Sequence, residues 1–347
     1  MYDSATYRKD LLTAISAVPK IQELRNTSIM ITGATGLIGS FLVDMLLEYN
    51  RLEDAGIHVY ALGRSEKRLQ ARFEGAITDH LHFVEHDVNQ PPTFDFAINY
   101  VIHAASNAYP ASFAEDPVGT ILNNVFGTQY LLHYAKEHRA KRFLFVSSGE
   151  IYGQGDPSIT AFPEHFSGYV DPTEPRSCYP SSKRTAETLC VSYTQQFGLE
   201  TVIARPCHIY GPNTTASDNR ASVQFMNNAI KGEDILMKSR GTQMRSYCYV
   251  ADCASAILTI LLCGQSKEAY NVANSNARVT IAELAEAIAE TAGRKVVFSE
   301  LEPIAKEQQT PITYAVLDSD KLCALGWKGN YTIEQGVLST YQVLTER

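Results

Sequence analysis

Tyr179 and Lys183, in Tyr179-Pro180-Ser181-Ser182-Lys183, stand four residues apart at the start of a predicted helix. They therefore share one helix face, a turn apart. A lysine ammonium beside a phenol stabilises the phenolate and lowers the tyrosine pKa, which suits a general base working near neutral pH. The second stretch whose spacing carries chemistry is Ile29 to Gly39, IMITGATGLIG. Three apolar residues end a buried strand, the chain turns through Gly33, Gly36 and Gly39, and Leu37, Ile38, Phe41 and Leu42 open an apolar helix. The first glycine allows a tight turn, the second lets the backbone approach a pyrophosphate, and the third lets helix pack on strand. Free N–H groups and the positive end of the helix dipole then face the phosphates. The spacing is G-x-x-G-x-x-G, not the commoner G-x-G-x-x-G, and the strand before and helix after supply the context for a dinucleotide turn.

Other elements must hold these two stretches together. Apolar positions at Leu11, Leu12, Ile15, Val18, Ile21 and Leu24 have helical spacing broken by Pro19, which predicts an N-terminal helix and turn. Strands are predicted at 57–62, 83–88, 101–105, 143–148 and 201–204, with helices at 40–50, 118–138 and 181–197 between them. Strands that are almost continuously apolar and alternate with helices imply a parallel sheet covered on both faces, a doubly wound Rossmann architecture in the α/β class. Beyond Gly211-Pro212 come a loop (213–220), helices at 221–231, 251–263 and 280–293, and short strands at 235–237 and 269–272. The expected organisation is an N-terminal helical extension (1–26), a mainly dinucleotide-binding part (27–205) and a smaller, mainly substrate-binding α/β lobe (206–347) interleaved with it.

Composition narrows the classes. The chain has 347 residues, is 45% hydrophobic and carries a formal net charge of −8, an ordinary globular balance with no basic stripe to suggest nucleic acid. Seven single cysteines, none in C-x-x-C, argue against a disulfide framework or a metal site and for a reducing, cytoplasmic setting. No apolar run is long enough to span a membrane.

The motifs taken together, TGATGLIG, His103-Ala104-Ala105-Ser106, Asn124-Val125-Phe126-Gly127-Thr128, Val146-Ser147-Ser148, Tyr179-x-x-x-Lys183 and Arg205-Pro206, resemble the extended short-chain dehydrogenase/reductase family over roughly residues 27–340. The resemblance implies a nucleotide-sugar substrate and a tightly held dinucleotide that takes hydride from the sugar and usually returns it. It implies Tyr179 as base toward a sugar hydroxyl, Lys183 on the ribose, and Ser148 on that same hydroxyl. Ser148 also reads as a plain strand-end cap. The implied cofactor contacts are Gly33, Thr35, Gly36, Leu37, Ile38, Gly39, Arg64, Asp87, Val88, Ala104, Ala105, Ser106, Asn124, Ser147 and Pro206, together with Tyr179 and Lys183. A homodimer through a four-helix bundle of helices 118–138 and 181–197 is implied as well.

Within that family, Arg176-Ser177-Cys178-Tyr179 with Lys183-Arg184, and Gly241 to Val250, resemble UDP-glucuronate decarboxylases (UDP-xylose synthases) more than 4-epimerases. Glu150, in Ser148-Gly149-Glu150, matches an acid found in decarboxylases and in 4,6-dehydratases, and it can move a proton or orient the departing group. Gly149 departs from both, since decarboxylases place serine and dehydratases aspartate there. His208, Arg220 and Arg245 are candidate substrate contacts, the arginines because a guanidinium fork suits a diphosphate or a carboxylate. The cofactor expected by resemblance is NAD; Arg64 after the second strand permits NADP. The rival readings are a 4-epimerase, then a 4,6-dehydratase or an NADPH-dependent keto-sugar reductase, and, outside enzymes, a dinucleotide-sensing protein.

Overall fold

The structure is a computed structural model that describes residues 1–346 other than 3, 107, 109, 157, 216–217 and 299–313. Ala216 and Ser217 of the predicted loop 213–220 lie outside the described residues. The strands are β1 (Ser28–Thr32), β2 (His58–Gly63), β3 (Leu81–Glu85), β4 (Tyr100–His103), β5 (Arg142–Val146), β6 (Thr201–Pro206), β7 (His208–Tyr210), β8 (Ile235–Met237), β9 (Met244–Tyr249), β10 (Ala269–Val272), β11 (Arg278–Thr280) and β12 (Val296–Phe298). The helices are α1 (Ala5–Ser16), α2 (Leu37–Glu53), α3 (Glu66–Phe73), α4 (Pro110–Glu115), α5 (Pro117–Glu137), α6 (Cys178–Phe197), α7 (Ala221–Ile230), α8 (Val250–Cys263), α9 (Ile281–Thr291), α10 (Asp320–Cys323) and α11 (Ile333–Thr345).

Seven parallel strands form the main sheet in the order β10-β6-β5-β4-β1-β2-β3. Ile29, Met30 and Ile31 of β1 and Val101 and Ile102 of β4 are fully buried, as a sheet covered on both faces requires. The chain runs outward from β1 to β3, then returns to place β4 on the other side of β1. In doubly wound sheets ligands bind where the strand order reverses in this way, beyond the carboxyl ends of the strands. That point lies between the ends of β1 and β4, at Thr32-Gly33 and His103-Ala104.

The latter part of the chain is not detached from this sheet. β10 pairs with β6, and α8 packs on α1, α2 and β6. A second sheet, β11-β9-β7, brings Arg245 and His208 to the same end of the molecule. α1 is fastened rather than appended: Tyr7 is fully buried and donates to Asp44 Oδ2 at 2.6 Å, while Asp10 accepts from Tyr249, Tyr331 and Ser339.

Two boundaries differ from expectation in ways that matter. β5 stops at Val146, two residues early, because Ser148 turns the chain by accepting the Glu150 N–H at 3.1 Å. α6 begins at Cys178, not 181, so Tyr179 and Pro180 lie in its first turn, where proline's missing N–H costs nothing. Among the described residues no helix is long and apolar enough to cross a membrane.

Candidate active site

The β1–α2 turn is made by backbone alone. Gly33 has φ +67°, and a Cβ there would sit 2.9 Å from the Ala104 carbonyl oxygen; a Cβ on Gly39 would sit 2.3 Å from that of Gly33. Gly36 caps α2 in an extended conformation with no side chain claiming the first-turn N–H groups. Thr35, Gly36, Leu37, Ile38 and Gly39 therefore line a cavity of about 450 Å³. Opposite them, Thr32 Oγ1 accepts the N–H groups of Ala104 (3.2 Å) and Ala105 (3.1 Å). With both lone pairs engaged, its hydroxyl proton goes to His103 Nδ1 at 2.8 Å. A glycine cradle that any Cβ would fill, open helix N–H groups and a slot at the switch point fit a dinucleotide pyrophosphate.

Of the residues expected at that end, Arg64, Asp87, Val88, Ala104, Ala105, Ser106, Ser147 and Pro206 line the cavity. Asn124 does not. It is buried, accepts from Ser106 Oγ and donates to Ser182 Oγ, each at 3.0 Å, while its neighbour Asn123 reaches the cavity wall. Asn124 thus ties the β4 end to α6 from behind.

Tyr179 and Lys183 face the same cavity and are 5% and 2% exposed. The Lys183 ammonium donates to the Val146 carbonyl at 2.9 Å and lies 5.8 Å from the Tyr179 ring centre. The expected lowering of the phenol pKa by this lysine is not what the geometry gives. Burial, reinforced by the Glu150 carboxylate, pushes Tyr179 well above the ordinary phenol range; a hydrogen bond from Ser148 and the guanidiniums of Arg176 and Arg220 pull it down. Lys183 itself is pushed down to about 7 by burial, only partly offset by Glu187. The Lys183 ammonium gives one of its three N–H groups to that carbonyl, and the groups that pull the phenol down are Ser148 and the arginines.

Arg176 was not singled out as a site residue by sequence reasoning. Its Nη2 lies 2.9 and 3.1 Å from the two Glu150 oxygens, and its guanidinium sits 4.6 Å over the Phe113 ring, which in turn stacks on Tyr179 at 4.4 Å between centres. Glu150 lines the cavity with an arginine holding it. The signal available in the sequence was only that Arg176 precedes Tyr179 by three residues; no spacing rule pairs it with Glu150.

On the remaining wall stand His208, Arg220 and Arg245. Arg245 is 4% exposed and donates to the Met244 carbonyl at 3.0 Å. Arg220 is held by Asp218 and donates to the Ile209 carbonyl at 2.9 Å. Burial and these two guanidiniums drive His208 down to about 3, so it is neutral in the working range. Gly149 also lines the cavity, and a Cβ there would meet Leu317 Cδ1 at 3.2 Å. Leu317 lies in a segment laid across the site through bridges Phe162–Leu317 and Arg245–Ala315. Among the described residues no cluster of His, Cys, Asp and Glu could hold a metal ion.

Known proteins resemble this chain in sequence and in fold. The sequence profile described as the NAD dependent epimerase/dehydratase family matches residues 29–273. UDP-glucuronic acid decarboxylase 3 of Arabidopsis thaliana is 34% identical over 318 residues, 90% of this chain and 87% of the relative. UDP-glucuronic acid decarboxylase 1 of Xenopus tropicalis is 30% identical over 322 residues, 92% of this chain and 72% of the relative. The structure of a UDP-glucuronic acid 4-epimerase from Bacillus cereus, with UDP-glucuronic acid and NAD, superposes with a TM-score of 0.74 at 21% identity, covering 92% of this chain and 99% of that one; at that identity the likeness is one of fold. With a profile matched from β1 to the end of the main sheet and relatives aligned along nine-tenths of its length, this chain belongs to the NAD dependent epimerase/dehydratase family.

Proposed function

We propose that this chain oxidises a nucleotide-activated sugar transiently at C4 with a nicotinamide dinucleotide of the NAD type, and that its net reaction is decarboxylation of a UDP-glucuronate-like substrate. The observation that carries the reading is the convergence of Tyr179, Ser148 and the glycine turn on one cavity whose wall includes the buried Arg245. The names of the relatives support the sugar class.

In this reading Gly33, Thr35, Gly36, Leu37, Ile38 and Gly39 hold the pyrophosphate, Arg64, Asp87 and Val88 the adenosine end, and Ala104, Ala105, Ser106, Ser147, Pro206 and Lys183 the nicotinamide end. When bound, the dinucleotide supplies a reversible hydride acceptor. Tyr179 takes the proton of the sugar 4-hydroxyl when the Ser148 hydrogen bond, the Arg176 and Arg220 guanidiniums and the positive charge of an oxidised nicotinamide together offset the burial that raises its phenol. Ser148 positions that hydroxyl by hydrogen bonding. A 4-keto sugar with a carboxylate at C6 is a β-keto acid and loses carbon dioxide without needing an acid at C6; the enolate left behind takes a proton at C5, and the hydride returned to C4, with the proton returned by Tyr179, restores the alcohol. Gly149 provides no such acid, and Glu150 is held by Arg176. Arg245, with His208 and Arg220 beside it, orients the anionic parts of the substrate.

Residues 27–205 carry most dinucleotide contacts and 206–347 most substrate contacts, with 1–26 packed on both. A second copy of the chain is proposed on α5 and α6, whose outer faces expose Val118, Ile121, Leu122, Phe126 and Phe197; sedimentation tests it. Unpaired thiols at all seven cysteines suit a cytoplasmic setting. The deciding experiment is incubation of the purified chain with UDP-glucuronic acid, followed by mass. Loss of carbon dioxide supports the proposal, an isomer of unchanged mass replaces it with epimerisation, and inertness toward all nucleotide sugars removes the enzyme reading.

A further inference from the structure

The cavity's adenosine end has an unusual charge arrangement. β2 ends at Gly63, and the next residue, where a site selecting an unphosphorylated ribose tends to place an acid for the 2′-hydroxyl, is Arg64. Ser65 caps α3, which puts Arg68 third in its first turn. Arg64 and Arg68 both line the cavity beside Gly63 and Asp87, and both are exposed. Neither guanidinium donates to another described residue. The neighbouring acids have other partners: Glu85 Oε2 accepts the Glu66 N–H at 2.8 Å, Asp87 Oδ1 accepts that of Asn89 at 3.0 Å, and Glu66 Oε1 accepts from the Gln70 amide at 3.0 Å. The start of α3 is thereby already occupied, by Glu85 on Glu66 and by Ser65 on Arg68. An anion at this corner is left to the two guanidinium forks, not to the helix end.

We propose that Arg64 and Arg68 form a binding site for a phosphate on the adenosine 2′-oxygen, so that the chain takes NADP as well as NAD. The proposal rests on the reading of the cavity as a dinucleotide site and specifies which dinucleotide it admits. Two forked donors with no competing carboxylate partner match the geometry and charge of a phosphate monoester. Because both arginines are exposed, their attraction for the phosphate is screened by salt, whereas the buried glycine cradle common to both dinucleotides is not.

The test is competitive loading. The purified chain is incubated with equal NAD and NADP until the bound ratio is constant, freed of unbound nucleotide, denatured, and the released dinucleotides are quantified by chromatography and mass. NADP is expected at no less than about a third of the NAD retained, and raised salt lowers that share. In the Arg64→Ala/Arg68→Ala double variant the NADP share of the dinucleotide retained falls at least about tenfold, whatever contact with the adenosine end, common to both dinucleotides, is lost with Arg64. Wild-type chain retaining NAD but almost no NADP, or a double variant whose ratio is unchanged, overturns the 2′-phosphate site and leaves the dinucleotide reading intact. Retention of neither nucleotide overturns that reading, and the site with it.

Discussion

The two ends of the cavity are built from different materials. At the β1–α2 end the wall is backbone: three glycines within seven residues, a helix start with no side-chain cap, and the Thr32 hydroxyl pinning the two N–H groups after β4. At the sugar end it is side chain: Tyr179 against Phe113 against Arg176, Arg176 on Glu150, and Leu317 beside Gly149. Backbone walls tolerate almost no added atom, because what the atom would meet is main chain that cannot turn aside. Side-chain walls tolerate exchange and depend on residues far apart in the chain. Substitutions at the two ends are therefore expected to fail differently, by loss of binding and fold at the first and by loss of rate at the second.

The largest effect is expected at Tyr179. Tyr179→Phe removes the phenolic oxygen without disturbing the stack on Phe113, so kcat is expected to fall by about 10³-fold. Retained dinucleotide and melting temperature stay close to wild type. A variant that keeps most of its rate would take the proton-transfer role away from this residue. At the other end, Gly39→Ala places a methyl 2.3 Å from the Gly33 carbonyl oxygen, an atom fixed by the turn itself. About 3 kcal/mol of destabilisation and loss of retained dinucleotide are expected, read by denaturant titration and nucleotide release. Normal retention and stability in Gly39→Ala would erase the contrast between the two ends.

This contrast also decides how much of the molecule could be read from the sequence. The sheet was legible because its strands are almost continuously apolar, and the glycine turn because all its determinants lie within eleven consecutive residues. The helix expected at 280–293 was legible for the same reason, since Thr280 and Glu283 form a capping box within the first turn of α9. The strand β9 went unseen because Arg245 and Ser246 interrupt its apolar run, though both are buried by the segment 315–317 from much later in the chain. Arg176 went unseen as a site residue because its partner Glu150 is 26 residues away across a loop. Helical spacing puts Lys183 on the face of Tyr179 but cannot say that its ammonium also donates to the Val146 carbonyl, or that burial and Glu150 raise the phenol. Asn124, expected on the cofactor, bonds to Ser106 and Ser182, neither of which its sequence neighbours point to.

The side-chain end can be loosened selectively. Arg176→Gln leaves Glu150 without its ion pair and removes one of the positive charges that lower the Tyr179 pKa. A base whose pKa rises is less ionised at any given pH. The rising limb of the kcat profile therefore moves to higher pH, and the rate near neutrality falls by about tenfold. Arg176→Lys, which keeps the charge but not the flat face on Phe113, is expected to restore the position of that limb and only part of the rate. An unmoved limb in Arg176→Gln would mean that Arg176 only packs.

The smallest effect belongs to the backbone end and appears with pH, not with substrate. His103 is 1% exposed, its Nδ1 takes the Thr32 hydroxyl proton, and burial, aided by the charge of Lys183, pushes it down to about 3. A free histidine titrates near 6.5, so between roughly pH 6.5 and 3 the unfolded chain holds a proton that the folded chain does not. Stability from this residue is therefore whole above the ordinary histidine pKa and drains away as pH falls toward the folded value. One such histidine amounts to about 1.4 kcal/mol between about pH 7.5 and 5.5. In His103→Gln that share of the slope disappears, because glutamine can accept the Thr32 proton through its amide oxygen and does not titrate. Denaturant midpoints of the two proteins measured across this range should converge as pH falls. Parallel curves would show that His103 takes up its proton at the same pH in the folded and the unfolded chain, so that no neutral Nδ1 is kept for the Thr32 hydroxyl.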